Sequence, residues 1–270
     1  MSERMIKANG VDLCLETFGD AADPAILLIH GACASMLWWE SELCAAIAAR
    51  GRFVIRYDQR DTGRSVSYPP GQPGYAASDL ARDAVGILDV LGVERAHVVG
   101  RSMGGGIALA VGLDHADRVT ALTFVTTSPG GDDLPPAALP YVEPGDDVVE
   151  NLVADLRAYA GGSPHFDEPA MRLLAEEDVA RTTNLAAITN HFHMDFDAPA
   201  TGGFGDVRVP TLVVHGDLDP AFPLPHGEAL RDAIPGARLL VLEATGHEVP
   251  RFHWSTFVDH LTDDFLAPAS

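Results

Sequence analysis

Three residue types that together perform acyl transfer occur in order along this 270-residue chain. Ser102 stands in Gly100-Arg101-Ser102-Met103-Gly104, between an apolar run at Ala96–Val99 and a helical pattern from Met103 to His115. A serine on so sharp a strand-to-helix turn needs neighbours without bulky side chains, and the turn aims helix N–H groups at its hydroxyl. That hydroxyl attacks at neutral pH only if a base takes its proton. Among eleven histidines, His247 lies in Ala244-Thr245-Gly246-His247-Glu248, directly after the run Arg238–Leu242, where such a base belongs. His97 falls inside a strand pattern, His115 near a helix end and His260 in the last helix, all positions for packed or solvated side chains.

The base needs a carboxylate to fix its tautomer and stabilise the imidazolium. Asp219 fits, in Gly216-Asp217-Leu218-Asp219-Pro220 after the run Thr211–Val214, because Pro220 fixes the backbone behind it. Asp217, one step nearer the strand, is the local rival. Acyl transfer also needs donors for the developing oxyanion. The expected pair is the backbone N–H of Met103 and that of Ala32, in the loop His30-Gly31-Ala32-Cys33. Cys33 has no base beside it in the sequence, so buried packing is its expected role.

These residues need a scaffold that brings strand ends together. Asn9-Gly10 between Met5–Lys7 and the alternating Val11, Leu13 and Leu15 reads as a two-residue hairpin turn. Continuous apolar runs at Ala25–Ile29 and Phe53–Tyr57 suit strands buried on both faces. Helical patterns cover Leu37–Arg50 and Ser78–Gly92, the latter ending at glycine. A strand follows at Val119–Thr126. Around Ser128–Leu139 the texture turns to Pro, Gly and Asp, and only helical patterns appear until about Gly205, at Val148–Tyr159 and Met171–Ala187. Alternation then resumes with strands Thr211–Val214 and Arg238–Leu242 and helices Pro225–Ile234 and Ser255–Leu266. The expected fold class is α/β: a mostly parallel central sheet with helices on both faces. Residues 1–128 and 206–270 are expected to form one core domain, and residues 129–205 a helical cap inserted into it.

Composition excludes several classes. Eighteen basic against 39 acidic residues give a formal charge of −21, which disfavours nucleic acid and anionic membranes as partners. No uncharged apolar run reaches the ~20 residues of a membrane helix, and Met1–Gly10 lacks the apolar core of a secretion signal, so a cytoplasmic location is expected. Three cysteines, Cys14, Cys33 and Cys44, are too irregularly spaced for a disulfide framework or zinc site. No cofactor and no metal are expected. The expected partner is a small-molecule ester, and the oligomeric state is open.

With the order Ser102, Asp219, His247, the chain resembles α/β-hydrolases of the Ser-His-Asp type over nearly its whole length. The His30-Gly31 loop resembles that family's oxyanion loop. Asp58-Gln59-Arg60-Asp61-Thr62-Gly63-Arg64-Ser65 resembles its D-x-R-G-x-G-x-S turn, with Asp61 where glycine is usual. More narrowly, Arg56-Tyr57-Asp58 through Ser65, Ala96-His97-Val98-Val99-Gly100 and Pro225-His226-Gly227 with Ile234-Pro235 are similar to aclacinomycin methylesterases. That resemblance implies an α/β-hydrolase fold with a helical cap and hydrolysis of a methyl ester on an aromatic polyketide. Serine at 102 fits esterases, lactonases, thioesterases and carbon–carbon bond hydrolases, whereas relatives with aspartate there open epoxides or remove halide. A non-hydrolytic receptor on the same fold is the alternative from another class.

Three further residues are candidate substrate contacts. Trp38, beside Trp39, either floors an aromatic pocket or packs a helix. Arg101 pairs either with a substrate carboxylate or with an acidic residue of the scaffold. His191, in His191-Phe192-His193, lines the pocket or the surface; two residues apart on a helix do not face together, so a metal is not expected there.

Overall fold

The computed structural model describes residues 3–143 and 145–266, and of Asp264 the backbone alone. The expected core segments reach past these bounds at residues 1–2 and 267–270, and the expected cap at residue 144. Eight strands form one sheet in the order β1-β2-β4-β3-β5-β6-β7-β8. β1 (Arg4–Ala8) and β2 (Val11–Phe18) are the hairpin read from Asn9-Gly10, and β2 also runs antiparallel to β4 (Phe53–Tyr57). From β4 onward all pairings are parallel: β3 (Ala25–Ile29), β5 (Ala96–Arg101), β6 (Val119–Val125), β7 (Thr211–Gly216) and β8 (Arg238–Leu242).

The apolar runs are strands because both faces of the sheet are covered. All five residues of β3 and of β4 are buried. On one face lie α2 (Ala77–Leu91), α3 (Met103–Asp114) and α6 (Pro225–Ala233), whose buried residues share a core with Leu27, Ile55, Val98 and Phe124. On the other, α1 (Ser41–Ala48) and α7 (Trp254–Leu261) pack over Ile26, Val54, Val99 and Val214. Parallel pairing sets the level of the strand ends. Ile29 pairs with Gly100, Arg101 with Val125, and Gly216 with Leu242. The residues that leave β3, β5, β7 and β8 therefore emerge along one rim, as ligand sites in open α/β sheets do.

Between β6 and β7 the chain forms α4 (Val148–Tyr159) and α5 (Glu168–Arg181), which pack on each other, followed by a 3₁₀ segment at Leu185–Phe192. The periodicity predicts one helix over Met171–Ala187; the structure instead ends α5 at Arg181, where Thr182 turns extended, and restarts as 3₁₀ after Asn184. α5 is docked by charge. Arg181 and Asp58 form an ion pair at 2.6 Å with side chains 4% and 0% exposed, and Asp178 accepts from Ser35 Oγ (2.5 Å) and Trp38 Nε1 (2.8 Å). The expected helix Leu37–Arg50 is also divided, into a 3₁₀ turn at Met36–Trp38 and α1. Buried Arg56 takes the Met36 and Trp39 carbonyls that a continuous helix would have used.

Several histidines are buried neutral in this scaffold. Burial holds His30, His191 and His215 below the ordinary histidine pKa, and pushes His97 down from 6.5 to about 3 with a smaller contribution from Arg52. Between pH 6.5 and 3 the unfolded chain thus binds a proton at His97 that the folded chain refuses. Stability must fall with pH across that window, by about 1.4 kcal/mol per unit for each such site. His97→Gln, retaining a hydrogen-bonding partner for Thr123, is expected to flatten the pH dependence of urea unfolding by about that slope. Parallel curves for the two proteins would contradict it.

Candidate active site

Four loops meet at the rim. The first carries Ser102, whose φ of 52° and ψ of −122° place a non-glycine residue in strained backbone between β5 and α3. Strain of this kind costs ~1–3 kcal/mol and persists where surrounding structure enforces it. Here Ser102 N–H bonds the Val125 carbonyl of β6 at 2.9 Å, while the next residues are committed to α3. Gly104 is required by contact: a Cβ there would lie 2.5 Å from the His30 carbonyl oxygen. The second loop, His30–Cys33, therefore lies directly against the elbow. A Cβ on Gly31 would sit 3.1 Å from Ser102 Cβ and 3.6 Å from its Oγ. Among the described residues neither Ala32 N–H nor Met103 N–H has an acceptor.

The third and fourth loops carry Asp219 and His247, the expected acid and base. Asp219 Oδ2 lies 2.8 Å from His247 Nδ1, and Asp219 Oδ1 accepts the N–H groups of Ala221 and Phe222, each at 2.9 Å. The carboxylate, 3% exposed, has a partner at each of its oxygens. Its rival Asp217 is exposed and, among the described residues, accepts only the Thr245 N–H, at 3.1 Å, with no contact to the imidazole. The imidazole plane is flanked by Phe222, with ring centroids 5.6 Å apart, and by Tyr159 at 5.4 Å. Ser102 Oγ makes no hydrogen bond among the described residues; the serine–histidine contact of such sites often tightens only when substrate binds.

Arg101, expected on the substrate side, is instead spent behind the site. Its guanidinium lies 3.1 Å from His30 Nε2 and donates to the His247 carbonyl, joining the second loop to the fourth. Both partners are uncharged, so neither expected pairing, with a substrate carboxylate or a scaffold acid, is the one found. His30 Nδ1 accepts the Gly31 N–H at 2.7 Å, so the single proton of the neutral ring sits on Nε2, the nitrogen beside Arg101. Burial, reinforced by Arg101 and His247, accordingly drives its pKa well below the ordinary range.

Two other expected substrate contacts are also corrected. Trp38 donates its indole N–H to Asp178, docking α5, and Trp39 stacks on Phe257 in the core. His191 is fully buried between Cys33 N–H and the Arg60 carbonyl, whereas His193 is exposed. A cavity of about 170 Å³ lies between the 129–205 segment and the core. Cys33 of the His30–Cys33 loop lines it, with Val148, Leu152, Val179, Leu185 and Ile188. Burial pushes the Cys33 thiol up to about 12, so it is no thiolate nucleophile at neutral pH.

Tyr159 was not legible in the sequence. It ends α4, and its carbonyl accepts the His247 N–H at 2.9 Å. A Cβ at Gly246 would come within 2.4 Å of that same carbonyl, so the His247 loop needs glycine where α4 seats on it.

The sequence matches the family model described as alpha/beta hydrolase fold over residues 24–253. The chain belongs to the α/β-hydrolase fold family. It is 34% identical over 279 aligned residues to rhodomycin D methylesterase DauP of Streptomyces sp. (strain C5), covering 93% of each chain. It is 30% identical to 2-hydroxymuconate semialdehyde hydrolase of Pseudomonas sp. (strain CF600), covering 98% of this chain and 94% of that one. An esterase from Rhodococcus sp. ECU1013 superposes with a TM-score of 0.79 over the full length of both chains at 20% identity, which speaks to the fold. The protein is a hydrolase by family and relatives.

The geometry also separates the two candidate acids experimentally. Asp219→Asn is expected to lower kcat for ester hydrolysis about 10⁴-fold, the scale of the same change in a serine protease. Asp217→Asn should stay within about fivefold of the parent, since an exposed amide still accepts the Thr245 N–H. Kinetics giving the reverse order would reassign the acid.

Proposed function

We propose that the protein is a cofactor-independent serine carboxylic-ester hydrolase, acting as a methylesterase on an aromatic polyketide-type product. The reading rests above all on the 2.8 Å contact from His247 Nδ1 to Asp219 on the same rim as strained Ser102. In it, His247 takes the Ser102 proton, Ser102 Oγ attacks the ester carbonyl, and the N–H groups of Ala32 and Met103 hold the oxyanion. His247 then protonates the departing alcohol and activates the water that releases the acid. Asp219 holds the imidazole and Arg101 the His247 carbonyl throughout, and residues 129–205 serve as the cap.

Similarity to rhodomycin D methylesterases, at 34% and 32% identity, supports the methyl ester and the polyketide class. Cavity size and charge refine it. A volume of about 170 Å³ is that of one ring, since an engineered 150 Å³ cavity holds benzene. One ring of a fused scaffold enters, and the remainder lies outside. The lining residues include Asp155 and Asp178 but neither Arg nor Lys. A neutral or cationic substrate is favoured over one bearing its own carboxylate there. This sets ester cleavage above the carbon–carbon hydrolysis named for the 2-hydroxymuconate semialdehyde relative.

The test is a hydrolysis screen over methyl esters of aromatic polyketides, simple alkyl esters, lactones and dienoate carbon–carbon substrates. Turnover is expected on the first group, and Ser102→Ala should abolish it by ~10⁶ in kcat with the fold retained. Preference for lactones or dienoates would replace the methylesterase reading. A loss under tenfold in Ser102→Ala, or a single slow cycle on every ester, would overturn the serine mechanism.

A further inference from the structure

The oxyanion turn is held from outside the core. Cys33 N–H donates to His191 Nδ1 at 3.0 Å, and the other ring nitrogen lies 2.9 Å from the Arg60 carbonyl oxygen. A peptide N–H can only donate and a carbonyl oxygen can only accept. The two contacts therefore fix the tautomer: Nδ1 presents its lone pair and Nε2 carries the proton. The side chain is fully buried, which keeps the ring neutral.

What the ring holds is a strained turn. Cys33 has φ 60°, in the left-handed region that favours glycine, and such a residue stays there only when its surroundings enforce it. The enforcement comes from the 3₁₀ segment Leu185–Phe192, which also receives the Cys33 thiol at the Ile188 carbonyl, 3.2 Å away. That segment is pinned in turn. Asn190 donates to Asp61 at 2.9 Å and accepts the Gly71 N–H at 2.7 Å. Asp61 stands where the family turn has glycine, at φ 65°, and its carboxylate provides this anchor. Arg60, whose carbonyl receives His191, is fixed by a two-point pair with Asp83 at 2.7 and 2.8 Å. Within the turn the N–H groups of Gly31 and Cys33 both face imidazole nitrogens, leaving Ala32 N–H between them as the free donor beside Ser102.

We propose that His191 is a positioning residue of the oxyanion hole, an imidazole from the cap that clamps the Cys33 peptide and so holds the Ala32 N–H where an oxyanion forms. The proposal rests on the esterase reading for the role of Ala32, but not for the clamp itself. Two kinds of measurement keep these apart.

The first uses no turnover. Ring ¹⁵N spectra of the wild-type protein should show His191 protonated at Nε2 and not at Nδ1, with a scalar coupling from the Cys33 amide across the N–H···N bond. A proton on Nδ1, or an uncoupled Cys33 amide, overturns the clamp. The second compares His191→Phe with wild type on a p-nitrophenyl ester, an aryl trifluoromethyl ketone that adds to Ser102 as an oxyanion, and the product acid. The expected loss is about ten- to a hundredfold in kcat, below the ~10²–10³ of deleting a donor outright, with KM within about threefold. Ketone affinity should fall by the same factor as kcat while product binding holds. Unchanged kcat and ketone affinity, or an equal loss for the product acid, overturns the positioning role.

If His191→Phe does not fold, His191→Asn and His191→Gln decide. The Asn oxygen reaches the place of Nδ1 and should retain most of kcat, whereas the Gln amide reaches that of Nε2 and should not. The reverse order overturns the proposal. A wild-type protein that shows the coupling yet neither hydrolyses esters nor binds the ketone leaves the clamp standing and removes the esterase reading.

Discussion

An alcohol becomes a nucleophile at neutral pH only while a base of suitable tautomer faces it, and the tautomer of an imidazole is set by what its far nitrogen touches. In the mechanism we propose, that contact is the 2.8 Å approach of His247 Nδ1 to Asp219. Much of the surrounding structure serves to keep those two side chains facing each other across separate loops. Parallel pairing of β7 with β8 brings Gly216 level with Leu242, so the acid and base loops leave the sheet side by side. Two backbone N–H groups occupy the second oxygen of Asp219 and stop the carboxylate from rotating away. Arg101 grips the His247 carbonyl from beneath, and the rings of Phe222 and Tyr159 confine the imidazole laterally.

The segment between β6 and β7 is more than a cover. Its α4 closes on the His247 loop through the Tyr159 carbonyl, and its 3₁₀ segment closes on the His30–Cys33 turn through His191. α5 fastens the segment to the core with a buried ion pair and two hydrogen bonds to Asp178. Buried charges of this kind add little net stability, because desolvation offsets their attraction, but one partner left alone is strongly unfavourable. They therefore fix where the segment sits. The cavity, the His247 loop and the His30–Cys33 turn consequently all contact the 129–205 segment, so in the proposed mechanism a change there that alters the cavity also touches the positioning of the chemistry.

Reading the sequence recovered what local pattern determines. Two-sided burial made β3 and β4 continuous apolar runs, and their limits coincide with those read from Ala25–Ile29 and Phe53–Tyr57. The elbow was legible because a strained serine demands small neighbours close by in the chain. Pro220 pointed to Asp219 over Asp217, and Asp219 is the one that lies 2.8 Å from His247. Expectations failed where partners come from far away in sequence. Arg101, Trp38 and His191 have the chemistry of substrate contacts, and only tertiary structure shows them spent on His30, Asp178 and Cys33. Helix limits failed similarly, since Arg56 captures the carbonyls at Met36 and Trp39. One signal for the cap clamp was present: an acidic residue, Asp61, at a turn position that normally takes glycine.

The most direct measurement is covalent labelling by an aryl fluorophosphonate followed by peptide mass analysis. A base-activated nucleophile should give one adduct per chain, on Ser102, formed at a rate that collapses in His247→Ala. An unlabelled protein, an adduct on Cys33, or labelling of Ser102 that ignores the loss of His247 would contradict the central claim.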